Sequence, residues 1–418
     1  MYSHPAVAFH LTNLFNMMIC HGYVPSQFGI SVVVPIVKNK NGDISKLANY
    51  RPISLSPVVA KLFEACLRSK FDMYLQSSDL QFGFKKHSGC HNAIFVVQQL
   101  VQYYNRRGSS VYIAALDASK AFDRVDHSTL VNKLQSRNVP LCFIRIVINW
   151  YCKLKSVVRW NGVFSFQYEV FCGVRQGGVL SPILFNLYVD DLLNGIENRQ
   201  IGCRFLGMNL GCIMYADDIL LLSASVDGLQ HLLDACSDYA QKHHLVFNCD
   251  KSVCMKVGGS YKYNISNMVL NNNPVNWVDS VRYLGITFRG CGSLRVDCAD
   301  IKRRFYVACN SVLGRCKYAD ECVKLSLVKS MCLPMLTYCL GALDMSGHIV
   351  KDLGVCWNDC FRRIFNYNRW ESVRDLQYCC GLEPMEDMYS SYREKYLHSV
   401  CLSPVVQRVK AYCTTGSL

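Results

Sequence analysis

No two of the 24 cysteines in this 418-residue chain stand three positions apart. That absence removes the Cys-x-x-Cys knuckle on which zinc ribbons and nucleic-acid zinc modules are built. His87, Cys90 and His91 cluster ahead of a helix, and His398 and Cys401 share helical spacing. Neither set matches a zinc module, and no metal is expected at either. Also missing are a cleavable signal peptide and any apolar run long enough to cross a bilayer, so no membrane partner is expected. The thiols are then most simply reduced ones, in the cytoplasm or nucleus. The chain has no repeat, no low-complexity tract and no flexible linker. Acidic residues are in short supply: 31 Asp and Glu face 45 Lys and Arg, a formal net charge of +14. A basic excess of that size is the footprint expected of polyanion partners. At roughly 150 residues per domain, the length allows two or three domains.

The most informative stretch is Tyr215-Ala216-Asp217-Asp218, with Cys212-Ile213-Met214 before it and Ile219-Leu220-Leu221-Leu222 after. Its flanks read as a β-hairpin whose tight turn carries two adjacent acids. The plain reading is a turn in which Asp217 and Asp218 cap the backbone. The alternative is a divalent cation that offsets the lost hydration of carboxylates held among apolar strands. Upstream, the β-rich run Val111 to Leu116 stops at Asp117, followed by Ala118-Ser119-Lys120-Ala121-Phe122-Asp123. Asp117 therefore sits at the carboxyl end of a strand where the chain turns toward a helix. If the two strands are neighbours, three carboxylates meet and repel one another unless metal is bound. All-oxygen ligands suit Mg²⁺ or Mn²⁺ much better than zinc. Three acids holding two such ions suit phosphoryl transfer by in-line displacement, and nucleotide polymerisation is such a reaction.

Four stretches stand in a telling order: Asn49-Tyr50-Arg51-Pro52-Ile53-Ser54-Leu55, Leu116 through Asp123, Gly173 through Pro182, and the Tyr-Ala-Asp-Asp box. In that order they resemble the reverse transcriptase domain of LINE-type, non-LTR retrotransposons, from about Val32 to about Phe288. The resemblance implies an RNA-directed DNA polymerase that extends a DNA primer on an RNA template with deoxynucleoside triphosphates. By it, Asp117 and Asp217 are the principal ligands of two Mg²⁺ or Mn²⁺ ions, Asp218 is the third acid, and the carbonyl of Ala118 supplements them. Phe122 falls where the family places a bulky aromatic under the incoming sugar, excluding a 2′-hydroxyl; its plainer reading is a core residue. Ala121, Gln176 and Gly177 would line the nucleotide site. Glycines there let backbone approach substrate closely, although Gly177-Gly178 would otherwise be an ordinary loop. Ser181 at the cap and Pro182 at the first helical position then open a helix. Arg51 and Lys38 would grip the triphosphate, although Lys38 lies in Lys38-Asn39-Lys40-Asn41-Gly42-Asp43, which also reads as a solvated hairpin. Lys251 would stand close to the reacting phosphates. Tyr215, Tyr283, Leu284 and Gly285 would hold the primer end.

The fold expected is α+β, a right-hand polymerase. Residues 1–110 would form fingers and an N-terminal extension, 111–290 a palm with an antiparallel sheet and finger insertions, 291–345 a helical thumb, and 346–418 a helical tail. His4 to His21 reads as a helix, Ile30 to Val37 as a strand, and Ala93, Val96, Val97, Leu100, Val101 and Tyr104 as one buried helical face. Helices fill His127 to Leu154, and Asn161-Gly162 marks a tight hairpin. Leu294 through Leu340 reads as helical and basic, suiting a thumb on a duplex or a solvated helix bundle. Complete elements of this kind usually carry an endonuclease as well, so the chain is expected to be a polymerase core from a larger element. Competing readings are a non-catalytic nucleic-acid-binding remnant and a group II intron maturase-type enzyme, for which no splicing-specific motif is seen. An RNA-synthesising polymerase is disfavoured by Phe122.

Overall fold

The structure is a computed structural model that describes residues 4–40, 42–259 and 266–415. Its centre is a six-stranded sheet in the order Met268–Leu270, Asn273–Trp277, Val253–Val257, Val111–Asp117, Asp218–Ser223, Cys212–Tyr215. The strand Val111–Asp117 is central: its apolar run is nearly unbroken, and Val111 and Ile113 are buried on one face, Ala114 and Leu116 on the other. Helix Val226–Lys242 packs on this sheet with Leu229, Leu232, Leu233 and Cys236 buried, and the Ser225 side chain caps its start. Helix Cys90–Arg106 packs beside it; Ala93, Val96, Val97, Leu100 and Val101 are buried as expected, Tyr104 is half-buried, and burial covers every residue from Asn92 to Val101 instead of one face, because the helix is enclosed by neighbouring elements. The pairing is antiparallel except between Val253–Val257 and Asn273–Trp277, which run parallel. This departs from an all-antiparallel palm because the strand Met268–Leu270 is inserted between the two and returns the chain in its original direction.

A second sheet orders Tyr50–Leu55, Ile30–Val37, Lys155–Trp160 and Val163–Phe164, with Tyr168–Glu169 also paired to Lys155–Trp160. Fingers and palm are thus interleaved along the chain. The turn at Asn161 and Gly162 has positive φ at both residues, 47° and 82°, as a tight mirror-image hairpin requires. Phe15, Phe28, Phe63 and Trp150 interlock in successive ring contacts and fasten the helix Pro5–His21 to this lobe. Residues 127–154 hold two helices, His127–Ser136 and Leu141–Tyr151, divided at Pro140.

A separate three-stranded sheet, Ser280–Tyr283, Ile286–Gly290 and Leu294–Asp297, leads into helices Ala299–Arg315 and Glu321–Met331. Leu294–Asp297 is therefore strand and not the start of the thumb helices; alternate burial at Leu294 and Val296 carries a period of two that four residues reveal weakly. The remaining helices, from Gly347–Phe365 to Pro404–Thr415, close the tail. Helix Ser181–Arg199 also differs in detail. Leu180 occupies the cap with no side-chain bond, and Ser181 is already helical. The capping acceptor comes from elsewhere: the buried carboxylate of Glu64 accepts from Val179 N and from Leu180 N at 3.3 Å.

Candidate active site

Cys212–Tyr215 and Asp218–Ser223 form a hairpin with Tyr215 paired to Asp218, leaving Ala216 and Asp217 as a two-residue turn. Ala216 has φ 55°, a left-handed conformation that side chains seldom adopt without support. The Asp218 strand pairs with Val111–Asp117 in a register that sets Asp218 directly opposite Asp117. Like charges on opposed residues destabilise a sheet, and nothing else in this strand pair calls for them.

Electrostatics follow the geometry. Burial, with the charges of Asp217 and Asp117 added, pushes Asp218 up to about 6. Asp217 is also raised, by burial and then by Asp117. Asp218 still opens to solvent, so water screens part of this repulsion. The positive charge of Arg51, from the strand Tyr50–Leu55, opposes both rises. Lys251 Nζ stands 3.7 Å from Asp117 Oδ2. Its loop is latched to the acid: Asn248 N donates to Asp117 O at 2.8 Å and Asp117 N donates to Ser252 Oγ at 3.2 Å. Ala118 bridges to Phe247 in the same loop.

Phe122 is half-buried in the short turn Ala121–Arg124 and stacks on Phe185 of the palm helix. Ala121 beside it, expected to line the nucleotide site, is 2% exposed and packs in the core. Gln176 Nε2 donates to Asp123 Oδ1 at 2.9 Å, and Gln176 O accepts from Ser54 N at 2.7 Å, which joins this loop to both the turn Ala121–Arg124 and the strand Tyr50–Leu55. Gly177 has φ 128°, and a Cβ there would lie 2.5 Å from Ser54 O, so the close approach requires glycine. Lys38 is exposed, and its ammonium donates to Ala48 O at 3.1 Å within its own hairpin; Asn41 lies outside the described residues.

Of the residues expected to hold a primer end, Tyr283, Leu284 and Gly285 lie at a second tight turn. Leu284 and Gly285 have φ 47° and 85° between the paired Tyr283 and Ile286. Tyr338 buttresses this turn by donating its hydroxyl to Leu284 O at 2.9 Å. Tyr215 is half-buried, whereas Tyr283 is 4% exposed, with no hydrogen-bond partner for its hydroxyl among the described residues. A strand laid here meets the backbone of 284–285 and not the Tyr283 ring.

Two residues with structural claims on the site escaped the sequence reading. Gln81 is buried against the acidic turn, and its only local signal is an amide within Leu80-Gln81-Phe82. Glu64 holds Arg175 and the palm helix, and its signal is a carboxylate in line with the buried Ala60, Phe63, Leu67 and Phe71.

Among the described residues no three His, Cys, Asp or Glu side chains close on a preformed metal site. The three acids are an open, oxygen-only set. That arrangement fits Mg²⁺, which keeps several waters and takes one or two carboxylates together with substrate phosphates.

With that geometry in place, the chain can be set beside known proteins. Residues 37–288 match the family described as reverse transcriptase (RNA-dependent DNA polymerase). The chain belongs to the reverse transcriptase family. This reverse transcriptase is 28% identical over 298 residues to the Pol polyprotein of the type-2 retrotransposable element R2DM of Drosophila melanogaster, a span covering 69% of the chain and 28% of that protein. It is 24% identical over 411 residues to the RNA-directed DNA polymerase of the mobile element jockey of the same fly, covering 94% of the chain and 44% of that protein. The chain thus spans less than half the length of either relative. Apo telomerase from Candida tropicalis shares the fold at a TM-score of 0.51 and 12% identity, covering 100% of this chain and 73% of that one. Among the described residues no helix is long and apolar enough to cross a membrane.

Proposed function

We propose that this reverse transcriptase copies an RNA template into DNA for a non-LTR retrotransposon, adding deoxynucleotides to a primer's 3′-hydroxyl. The observation that carries the proposal is the register that sets Asp218 opposite Asp117 with Asp217 in the adjoining tight turn. Asp117, Asp217 and Asp218 would hold two Mg²⁺ or Mn²⁺ ions, with the Ala118 carbonyl in support. Such ions lower the pKa of an attacking hydroxyl and neutralise the charge that gathers on a leaving pyrophosphate.

The chain's own groups do the positioning. Arg51, with its planar fork, suits the triphosphate better than a point charge would, and Lys38 adds charge from the same lobe. Lys251 sits close enough to Asp117 to meet the phosphates and is the residue from which pyrophosphate would take a proton. Phe122, flat against Phe185, would press on the sugar and exclude a 2′-hydroxyl, while Gln176 and Gly177 shape the base side of the nucleotide. Tyr215 and the backbone of 284–285 would carry the primer terminus, with the buried Tyr283 behind them. RNA template, DNA primer and deoxynucleotides are the proposed partners, and the free thiols suit the reducing cytoplasm or nucleus.

The test is extension of a labelled DNA primer on a defined RNA template by the purified chain with Mg²⁺. Stepwise incorporation of deoxynucleotides is expected, with ribonucleotides refused. Incorporation of ribonucleotides in preference, or no extension with either Mg²⁺ or Mn²⁺, would reject the proposal.

A further inference from the structure

Ala216 sits in the left-handed region immediately before Asp217, yet it is not a glycine. Such a conformation persists only where the surroundings over-determine it. Here they do so through one side chain, Gln81, which is 1% exposed. Its Oε1 accepts from Ala216 N at 2.8 Å and from Gly83 N at 2.9 Å, and its Nε2 donates to Ala216 O at 3.3 Å. Two backbone donors converge on one amide atom, which fixes the orientation of the amide. Both polar groups of Ala216 are thereby held by a residue 135 positions away.

The support behind Gln81 is itself rigid. Met214 N donates to Leu80 O at 2.9 Å and Phe82 N to Met214 O at 2.8 Å, so residues 80–82 run as an extra strand beside the hairpin. Gly83 lies so close that a Cβ would stand 2.5 Å from Ala216 N. One face of helix Ser181–Arg199 grips this segment from below: Asn186 Nδ2 donates to Gly83 O at 2.8 Å, and Asp190 accepts from Ser78 N at 2.7 Å. Arg137 pairs with Asp190 at 2.7 Å and completes the anchor.

We propose that Gln81 is a positioning residue for polymerisation: its amide holds Ala216 left-handed and so aims Asp217 and Asp218 at the divalent ions. The inference rests on the polymerase reading for its kinetic consequence. A displacement of about 1 Å in such a constellation is enough to cost on the order of 100-fold in rate.

The test compares the wild type with Gln81→Met, which matches length without hydrogen bonds, and Gln81→Glu, which keeps the acceptor oxygens. Two quantities are read: Mn²⁺ affinity of the nucleic-acid-free protein by electron paramagnetic resonance, and kcat and KM for a deoxynucleotide. Gln81→Met is expected to weaken Mn²⁺ roughly five-fold or more and to lower kcat about 100-fold with KM within about three-fold, while RNA–DNA binding is kept. Gln81→Glu should lose less kcat than Gln81→Met. Wild-type Mn²⁺ affinity and kcat in Gln81→Met would overturn the proposal. If Gln81→Met does not fold, unchanged values in Gln81→Ala, which removes the amide altogether, overturn it equally, and collapse of both variants assigns Gln81 to folding alone and overturns it too. A wild type that fails to extend a primer sinks the polymerase reading, whereas the Mn²⁺ comparison still decides the role of Gln81.

Discussion

Phe122 lies flat against Phe185, ring centroids 4.4 Å apart and planes 15° apart, while Phe84 meets its edge at 6.2 Å. A ring held on two sides cannot swing away from a sugar that presses on it, and a rigid ring is what steric exclusion of one hydroxyl needs. Phe122→Ala is expected to raise ribonucleotide incorporation relative to deoxynucleotide by roughly 10- to 200-fold, the range that one steric contact commands. Competing the two nucleotides on one primer reads this directly. Unchanged selectivity would return Phe122 to the core.

Mg²⁺ should stabilise the folded chain, and the pH dependence has a definite sign. Asp218 has a folded-state pKa of about 6, above its ordinary 3.8, so the native state favours the proton. Its contribution to stability is present below about pH 4 and is lost as pH rises through about 6. Without metal the cluster therefore destabilises the chain at pH 7.5, and a bound cation removes that penalty. Thermal unfolding should show a larger upward shift with Mg²⁺ at pH 7.5 than at pH 5. Asp218→Asn, measured without metal at pH 7.5, should be more stable than the wild type by up to about 1 kcal/mol after solvent screening. Equal Mg²⁺ shifts at both pH values would contradict the shared site.

Glu64 should matter as a structural keystone. Its carboxylate is buried with Arg175 at 3.4 Å, and it also caps the helix Ser181–Arg199. Burial raises its pKa and Arg175 offsets that rise. Glu64→Ala would leave Arg175 buried without a counter-charge and is expected to cost about 3–5 kcal/mol. Arg175 lies over the Trp150 ring at 5.3 Å, so urea unfolding followed by tryptophan emission reads the loss. A change below about 1 kcal/mol would contradict the keystone role.

Much of the site is legible in the sequence where chemistry is local. Apolar strands that end in acids give away Asp117 and the 215–218 hairpin, and Asn161-Gly162 marks its own turn. The strand Ile30–Val37 and the existence of helix Cys90–Arg106 are legible in the sequence, whereas the burial of that helix all round from Asn92 to Val101 is not. What stays hidden depends on distant partners. Gln81 reaches Ala216 across 135 positions and Glu64 reaches Val179 across 115; Gln81 has no repeating pattern around it, and Glu64 shows only as a charge on the apolar stripe of its helix. The cap at residue 181 reads wrongly for the same reason, because a serine before a proline looks sufficient when the distant carboxylate cannot be seen. Leu294–Asp297 is too short for its alternation to outweigh the basic helical run that follows.

The most direct test of the account is primer extension by wild type and Asp217→Asn in parallel, with RNA–DNA binding measured on the same preparations. Asp217 should be dispensable for binding and indispensable for synthesis, because it contributes negative charge at the cleft and no contact to a polyanion. Wild-type extension in Mg²⁺, its loss on chelation, and no extension by Asp217→Asn at unaltered RNA–DNA affinity are the predicted results. Extension by Asp217→Asn at the wild-type rate would contradict a site built on these three acids.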